Sequence, residues 1–336
     1  MSISQTQAGT KQQAVSRNTG HHALAGAGGN RTGRRWLRGV IGIAIGIGSA
    51  LIIGGCAMSA KPAAIDASAV TYEPGTILSS ETGKPITVDM LLDDLSSAGV
   101  VYIGERHTNA RHHDIQLEIL NGLQQRELPI AVGMEMFDRT YNAILENWSR
   151  GGLEETELIQ QTHWYANWRY DYALYRPILD FVRTHQVPLI GLNIPFHLPA
   201  KIATGGLANL QSFDREFLPE DIDLSDEAHR AYVQEIFEMH KMRGRDNFDY
   251  FYEAQCTWDE AMAESIAAAL NSEILVVIVG NGHIVNKFGI PQRAYRRSRV
   301  PFRTVYLAEA GQEFDLDQGD FIWITSKEKV KPHPPP

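Results

Sequence analysis

Cysteine is scarce in this 336-residue chain, which holds only two, Cys56 and Cys256. A cysteine-built zinc site and an iron–sulfur cluster are thereby excluded. Positive charge is short too: 31 lysines and arginines face 40 acidic residues, for a formal charge of −9. A nucleic-acid footprint needs a basic face, so nucleic acid is not an expected partner. Also missing are a Gly-x-x-x-x-Gly-Lys-Ser/Thr phosphate loop, a Gly-x-Ser-x-Gly nucleophile elbow and a His-Glu-x-x-His helix. Nucleotide-driven and serine-esterase chemistry lose their main supports. The longest uncharged apolar run, residues 40–55, falls short of the ~20 residues that a membrane-spanning helix needs.

What is present is an ordinary globular composition, 43% hydrophobic and 21% charged, with an unusual N-terminal end. Residues 1–33 carry hardly any large apolar side chain and cannot repay the entropy of ordering. A basic cluster, "RRWLRG", precedes the run "VIGIAIGIGSALIIGG" and then Cys56. This is the basic and then apolar layout of an export signal. "IGGC" resembles the bacterial lipobox, which makes Cys56 the expected lipidation site; the alternative is an uncleaved signal anchor with Cys56 an idle thiol. With Cys56 lipidated, only Cys256 is left, so the exported part has no disulfide and relies on its core. The expected organisation is an extension plus signal peptide over 1–55, lipidated cysteine and tether over 56–80, one domain over 81–327 and a disordered tail over 328–336. Ala57, rather than aspartate, follows the cysteine. Among lipoproteins it resembles, this favours the outer membrane over inner-membrane retention, with the domain facing the periplasm.

Beyond the tether, short apolar runs alternate with helical patterns. "GVVYIG" (99–104), "PIAVGM" (129–134), "VPLIGL" (187–192) and "EILVVIVG" (273–280) suit strands buried on both faces of a parallel sheet. "TVYLAEA" and "FIWIT" could add two more. Between them Ile115, Ile119 and Leu123 recur at helical spacing, and Phe248, Phe251, Trp258, Met262 and Ile266 form another stripe. The expected fold is a single α/β domain with a mostly parallel sheet flanked by helices. Cys256 reads as a packed helix residue.

Two strand candidates end in glycine, two residues, histidine: Gly104-Glu105-Arg106-His107 and Gly280-Asn281-Gly282-His283. Others end in Gly133-Met134-Glu135 and Gly191-Leu192-Asn193. Ligands of open parallel sheets bind outside the carboxyl ends of the strands, so these ends are expected to line one cleft. Two imidazoles and a carboxylate suit a divalent metal, and His107, Glu135 and His283 are the expected ligands of zinc, manganese or iron. Glu105 is a further ligand or a general base. The plainer alternative is that the histidines bond only loop backbone and Glu135 caps a helix. His112 and His113 could extend the cleft, but adjacent helical residues point apart, so at most one is expected to face it.

"VYIGERHTNARHHDIQLEIL", "VGMEMFD", "LIGLNIP", "YEAQCTWDEAMA" and "IVGNGHI" together resemble the ChaN family of haem-binding uptake lipoproteins. That family lies in the superfamily of the Tiki and TraB proteins and the erythromycin esterases. The resemblance spans about residues 85–310. It implies haem as ligand, a role in haem and iron acquisition, an axial tyrosine, haem shared across a homodimer and supply by an outer-membrane haem receptor. It equally implies a metal-dependent hydrolytic site, with Glu105, His107, Glu135 and His283 in the catalytic positions.

Haem needs an axial ligand, flat apolar walls and a basic rim. "HWYANWRYDYALYRP", residues 163–177, offers Trp168, Tyr170 and Tyr175 beside Arg169, although aromatics at this spacing also make the packed face of a helix. "EMHKMRG" offers His240 between Met239 and Met242, or merely an ordinary surface segment.

Overall fold

Six near-continuous apolar runs can bury both faces only in the middle of a layered sheet, and there they lie. In the computed structural model, which describes residues 72–239, 246–271 and 273–327, the strands are β1 (Ile77–Ser79), β2 (Lys84–Ile86), β3 (Val100–Ile103), β4 (Ile130–Asp138), β5 (Leu189–Asn193), β6 (Ile274–Ile278), β7 (Phe302–Glu309) and β8 (Phe321–Thr325). They form one sheet in the order β2-β1-β8-β7-β3-β6-β4-β5. β3 to β8 run parallel and the β1–β2 hairpin joins β8 antiparallel. All described residues belong to one α/β unit. The hairpin adds to the elements expected from the apolar runs, and β1 begins ahead of the boundary expected at residue 81.

The helices are α1 (Val88–Leu95), α2 (Ala110–Gln125), α3 (Asn142–Ser149), α4 (Glu155–Gln161), α5 (Trp164–Asn167), α6 (Tyr172–His185), α7 (His197–Gly205), α8 (Ser212–Arg215), α9 (Glu227–Met239), α10 (Phe248–Ala269) and α11 (Ile290–Ser298). Alternation along the strands sorts them into two layers. Val101, Ile103, Val132, Met134, Val276 and Ile278 pack with Leu91, Ile115, Ile119, Trp148, Ile178 and Val182 of α1, α2, α3 and α6. Val100, Tyr102, Ala131, Leu275 and Val277 pack with Met262, Ala263, Ile266, Ile290 and Ala294 of α10 and α11. Each fully buried aliphatic side chain contributes about 1.5–3 kcal/mol.

Three features of this frame bring the strand ends together. β6 lies between β3 and β4, and the register pairs Ile278 with both Ile103 and Met134, so β3 and β6 end level with Met134, the residue before Glu135. The chain moves outward from β3 to β4 and β5 and then returns to insert β6, which makes this edge a switch point of the sheet. β4 also runs longer than expected, with Glu135 inside the strand rather than beyond it, and its pairing with β5 shifts between Met134 and Asp138. Gly191 permits that shift, since a Cβ there would sit 2.6 Å from the Asp138 carbonyl oxygen.

Among the described residues no helix is long and apolar enough to cross a membrane. Cys56, the signal segment, His240, Met242 and the tail over 328–336 lie outside the described residues.

Candidate functional site

The two Gly-x-x-His stretches meet, and each glycine makes room for the other stretch. A Cβ on Gly104 would overlap Asn281 Oδ1 and stand 2.9 Å from Ile284 Cδ1. A Cβ on Gly280 would stand 3.0 Å from His107 Cε1, 3.2 Å from its Nε2 and 3.5 Å from Glu135 Oε2. The Asn281 amide N–H donates to the Glu105 carbonyl at 2.9 Å, and its side chain donates to the Leu307 carbonyl at 2.8 Å, stitching the loop after β6 to β3 and β7.

His107, Glu135 and His283 thus come together, as their places at the strand ends require. Glu135 Oε2 accepts the Gly280 N–H at 2.7 Å, and its Oε1 lies 3.3 Å from His283 Nε2. The backbone beneath Glu135 is held by Asn193, whose side-chain amide donates to the Glu135 carbonyl at 3.0 Å.

Behind each histidine stands a buried carboxylate, one from each layer of the fold. Glu105, on the α2 and α6 side, lies 2.8 Å from His107 Nδ1 through Oε1. The same oxygen accepts the Tyr175 hydroxyl at 2.6 Å. Its Oε2 accepts Gln116 Nε2 at 2.8 Å and lies 3.3 Å from His113 Nδ1. Glu105 is therefore the anchor of His107, with its oxygens turned to four neighbours. His113 faces this network while His112 turns away to Thr325 and the Arg106 N–H, so one of the adjacent pair reaches the site. On the α10 side, Asp259 Oδ1 lies 2.6 Å from His283 Nδ1. Asp259 and Gln255 lie away from the strand ends, inside the stretch "YEAQCTWDEAMA" that carries the resemblance, but the strand-end reasoning gave them no role.

These pairings fix the charges. Burial pushes Glu105 up, but His113 and His107 outweigh it and hold its carboxyl well below the usual carboxylate range. Burial likewise opposes ionisation of Glu135, and His283, His107 and the Gly280 N–H reverse it. His107 is raised against burial by Glu105 and Glu135. His283 is pushed up to about 10, because Glu135 and Asp259 together overcome its burial. His112, which lacks such a carboxylate bond, is driven down to about 3, chiefly by burial.

The aromatic segment forms the wall of this same cleft rather than a separate site. Trp168 meets the His107 ring edge-on with centroids 4.8 Å apart, and Tyr170 lies 4.8 Å from it on a tilt. Trp168 also packs on Tyr170 at 5.3 Å and on Phe196 at 5.8 Å. Trp168 is buried, Tyr170 and Phe196 are half-buried, and Arg169 is exposed beside them. Tyr175 is buried with its hydroxyl committed to Glu105, whereas the Tyr170 hydroxyl takes no part in the bonds that hold the cleft together. Trp258 stands edge-on to His283 at 5.2 Å. Each histidine thus has a carboxylate on Nδ1 and an indole at its flank. Cys256 is a buried, unpaired residue of α10, as its pattern implied.

Among the described residues no group of three or more histidine, cysteine, aspartate or glutamate side chains is placed to hold a metal ion. Nδ1 of each histidine is held by a carboxylate, as it also is in metal-ligating histidines, and Nε2 of His283 faces Glu135. At the mouth of the cleft a half-buried phenol and phenyl ring, backed by the Trp168 indole, occur beside an exposed guanidinium, the mixture that haem needs.

Comparison with known proteins agrees. The model of the family described as "Haem-binding uptake, Tiki superfamily, ChaN" matches residues 91–294. No curated protein matches the chain. Among solved structures, the chain is similar to the ChaN of Campylobacter jejuni with cofacially bound haem, at 22% identity and a TM-score of 0.61, over 74% of this chain and 95% of that one. The erythromycin esterase EreC in its open conformation is also similar, at 13% identity and a TM-score of 0.41, over 70% of this chain and 76% of that one. At 22% identity the likeness to the ChaN structure is one of fold.

Proposed function

Because the chain belongs to the ChaN family of haem-binding uptake proteins in the Tiki superfamily, we propose that it binds haem at the mouth of the His107 cleft and serves haem and iron acquisition from the cell envelope. The observation that carries this reading is the pair of rings, Trp168 and Tyr170, standing directly on His107, with Phe196 packed on Trp168. Haem supplies an iron open to an axial ligand, an apolar face and two carboxylates. Tyr170 would give the axial oxygen, Trp168 and Phe196 the apolar wall, and Arg169 a cation for a carboxylate.

The anchor in this reading is Cys56, lipidated after export, with the domain facing the periplasm and the outer membrane preferred. The basic cluster, the apolar run and "IGGC" support it. The cofacial haem of the Campylobacter jejuni protein supports a homodimer in which two copies face one another across haem, and an outer-membrane receptor is the natural donor. The test is haemin titration of the purified full-length chain followed by absorbance. A saturable Soret shift is expected in the wild type and its loss in Tyr170→Phe; a wild type with no saturable shift ends the reading.

A second reading, hydrolysis in the same cleft, is favoured by the two carboxylate-anchored histidines facing Glu135. Since no ready metal-binding group is present among the described residues, it stands on the acid–base pair alone. Purified protein that turns over no ester or peptide substrate between pH 5 and 10, a window taken about the ordinary histidine pKa of roughly 6.5, removes it.

A further inference from the structure

Three buried polar residues behind His283 are not accounted for by any strand-end motif: Asp259 on α10, His229 on α9 and Arg293 on α11. Their exposures are 0%, 1% and 3%. Burying such groups costs several kcal/mol each unless they are paired, so their arrangement needs a physical reason.

The bonding directions give one. An arginine can only donate. Arg293 Nη2 lies 3.3 Å from His229 Nδ1, so that nitrogen must accept and the His229 proton must sit on Nε2. His229 Nε2 faces Asp259 Oδ2 across 3.6 Å and has no hydrogen-bond partner among the described residues. The other oxygen, Oδ1, is 2.6 Å from His283 Nδ1. Gln255 Nε2 lies 3.4 and 3.3 Å from the two Asp259 oxygens and 3.1 Å from His283 Nδ1, so it sits beside the Asp259–His283 bond and competes with it for that ring nitrogen. Arg293 is itself fixed by an ion pair to the buried Glu260 and by donation to the Asp223 carbonyl at 3.0 Å. The tautomer of His229 is thus set from the far end, and its Nε2 proton is turned towards Asp259 Oδ2 across a contact longer than a hydrogen bond.

We propose that Asp259, oriented by His229 and Arg293, is the positioning residue of the second cleft wall. It holds the His283 ring with Nδ1 as donor and Nε2 turned to Glu135, as Glu105 does for His107 from the opposite layer. The row runs from α11 through α9 and α10 to the loop after β6, so it also ties three helices to the cleft. Gly289 closes the arrangement, because a Cβ there would strike the His283 carbonyl and stand 3.2 Å from Asp259 Oδ1.

This inference rests on the cleft being the functional site, and ring-nitrogen NMR tests it without haem. Long-range proton–nitrogen correlation on full-length protein labelled at histidine is expected to show the His283 Nδ1 proton in the wild type. Asp259→Asn keeps the shape but offers an amide, so the His283 nitrogen pattern should shift. His229→Phe, which keeps a ring and removes the donor, should shift it in the same sense by a smaller amount. His283 signals in Asp259→Asn that superimpose on those of the wild type, with unchanged amide signals along β6 as proof of folding, overturn the proposal. Should Asp259→Asn fail to fold, His229→Phe decides alone: unchanged His283 signals there overturn it. Haemin titration of the same samples keeps the two questions apart, since a wild type that binds no haem ends the functional reading and leaves the nitrogen measurement standing.

Discussion

Gly280 lies beneath the His107 ring, close enough that a Cβ on the glycine would stand 3.0 Å from Cε1 and 3.5 Å from Glu135 Oε2. The glycine two residues beyond β6 is thereby coupled to the histidine that follows β3. Gly280→Ala crowds the His107 ring, which must give by a few tenths of an ångström. Overpacking of this kind costs about 1–3 kcal/mol. The expected outcome is a folded protein with unchanged far-ultraviolet circular dichroism and weaker haem binding. Retention of wild-type affinity by Gly280→Ala would show that the cleft does not use His107.

Glu105 is the second test of the cleft as a preorganised unit. It is buried, with His107, Tyr175, Gln116 and His113 around its two oxygens. Tyr175→Phe removes the 2.6 Å hydroxyl bond and little else. A hydrogen bond to a charged group is worth about 1.5–3 kcal/mol, and that loss is expected in urea unfolding. Glu105→Gln should cost more, because two histidines lose the charge they face. A Tyr175→Phe variant within about 0.5 kcal/mol of wild type, the scatter of ordinary surface substitutions, would mean that Glu105 finds its stabilisation elsewhere.

What could be read from the residues in order, and what could not, divides along one physical line. Strands β3 to β8 were legible because a strand buried on both faces must be apolar at every position, as "VVYI" and "ILVVI" are. Convergence of His107, Glu135 and His283 followed from parallel topology, which brings carboxyl ends together whatever their separation in sequence. The β1–β2 hairpin was not legible, since Lys84 and Pro85 are exposed and three-residue strands carry no period. Nor was the role of Asp259: it lies inside "YEAQCTWDEAMA", but a carboxylate in an amphipathic helix looks like solvent-facing charge until α9 and α11 cover it. The aromatic segment stood out by composition, but only the fold shows that Trp168 and Tyr170 share the cleft with His107.

Stability should vary with pH on the alkaline side through His283. Its folded value is pushed up to about 10 by Glu135 and Asp259, against about 6.5 in an unfolded chain. A group raised on folding contributes stability that is fully present below the unfolded value and is lost as pH rises through the folded one. Wild-type urea midpoints are therefore expected to fall between about pH 6.5 and 10, and His283→Gln should flatten that slope. Glu105 works in the opposite sense: its lowered carboxyl contributes above the ordinary glutamate value and loses that contribution in acid. Parallel alkaline slopes in wild type and His283→Gln would refute the assignment.

Haem binding should itself release a proton, and the source can be identified. The Tyr170 phenol is raised by burial, then by Glu135 and Glu105. Ligation of ferric iron by phenolate must remove that proton, so affinity should rise with pH, by up to about tenfold per unit while the free phenol is protonated. Tyr170→Phe should lose both the affinity and the slope. Tyr175→Phe should keep the slope, because its hydroxyl is committed to Glu105 and is not offered to iron. Replacing Glu135 by Gln should ease deprotonation of Tyr170 and move the rise to lower pH without abolishing it. Haemin titrations across pH on these three variants separate the possibilities: a slope that survives in Tyr170→Phe assigns the proton, and the axial oxygen, to another residue.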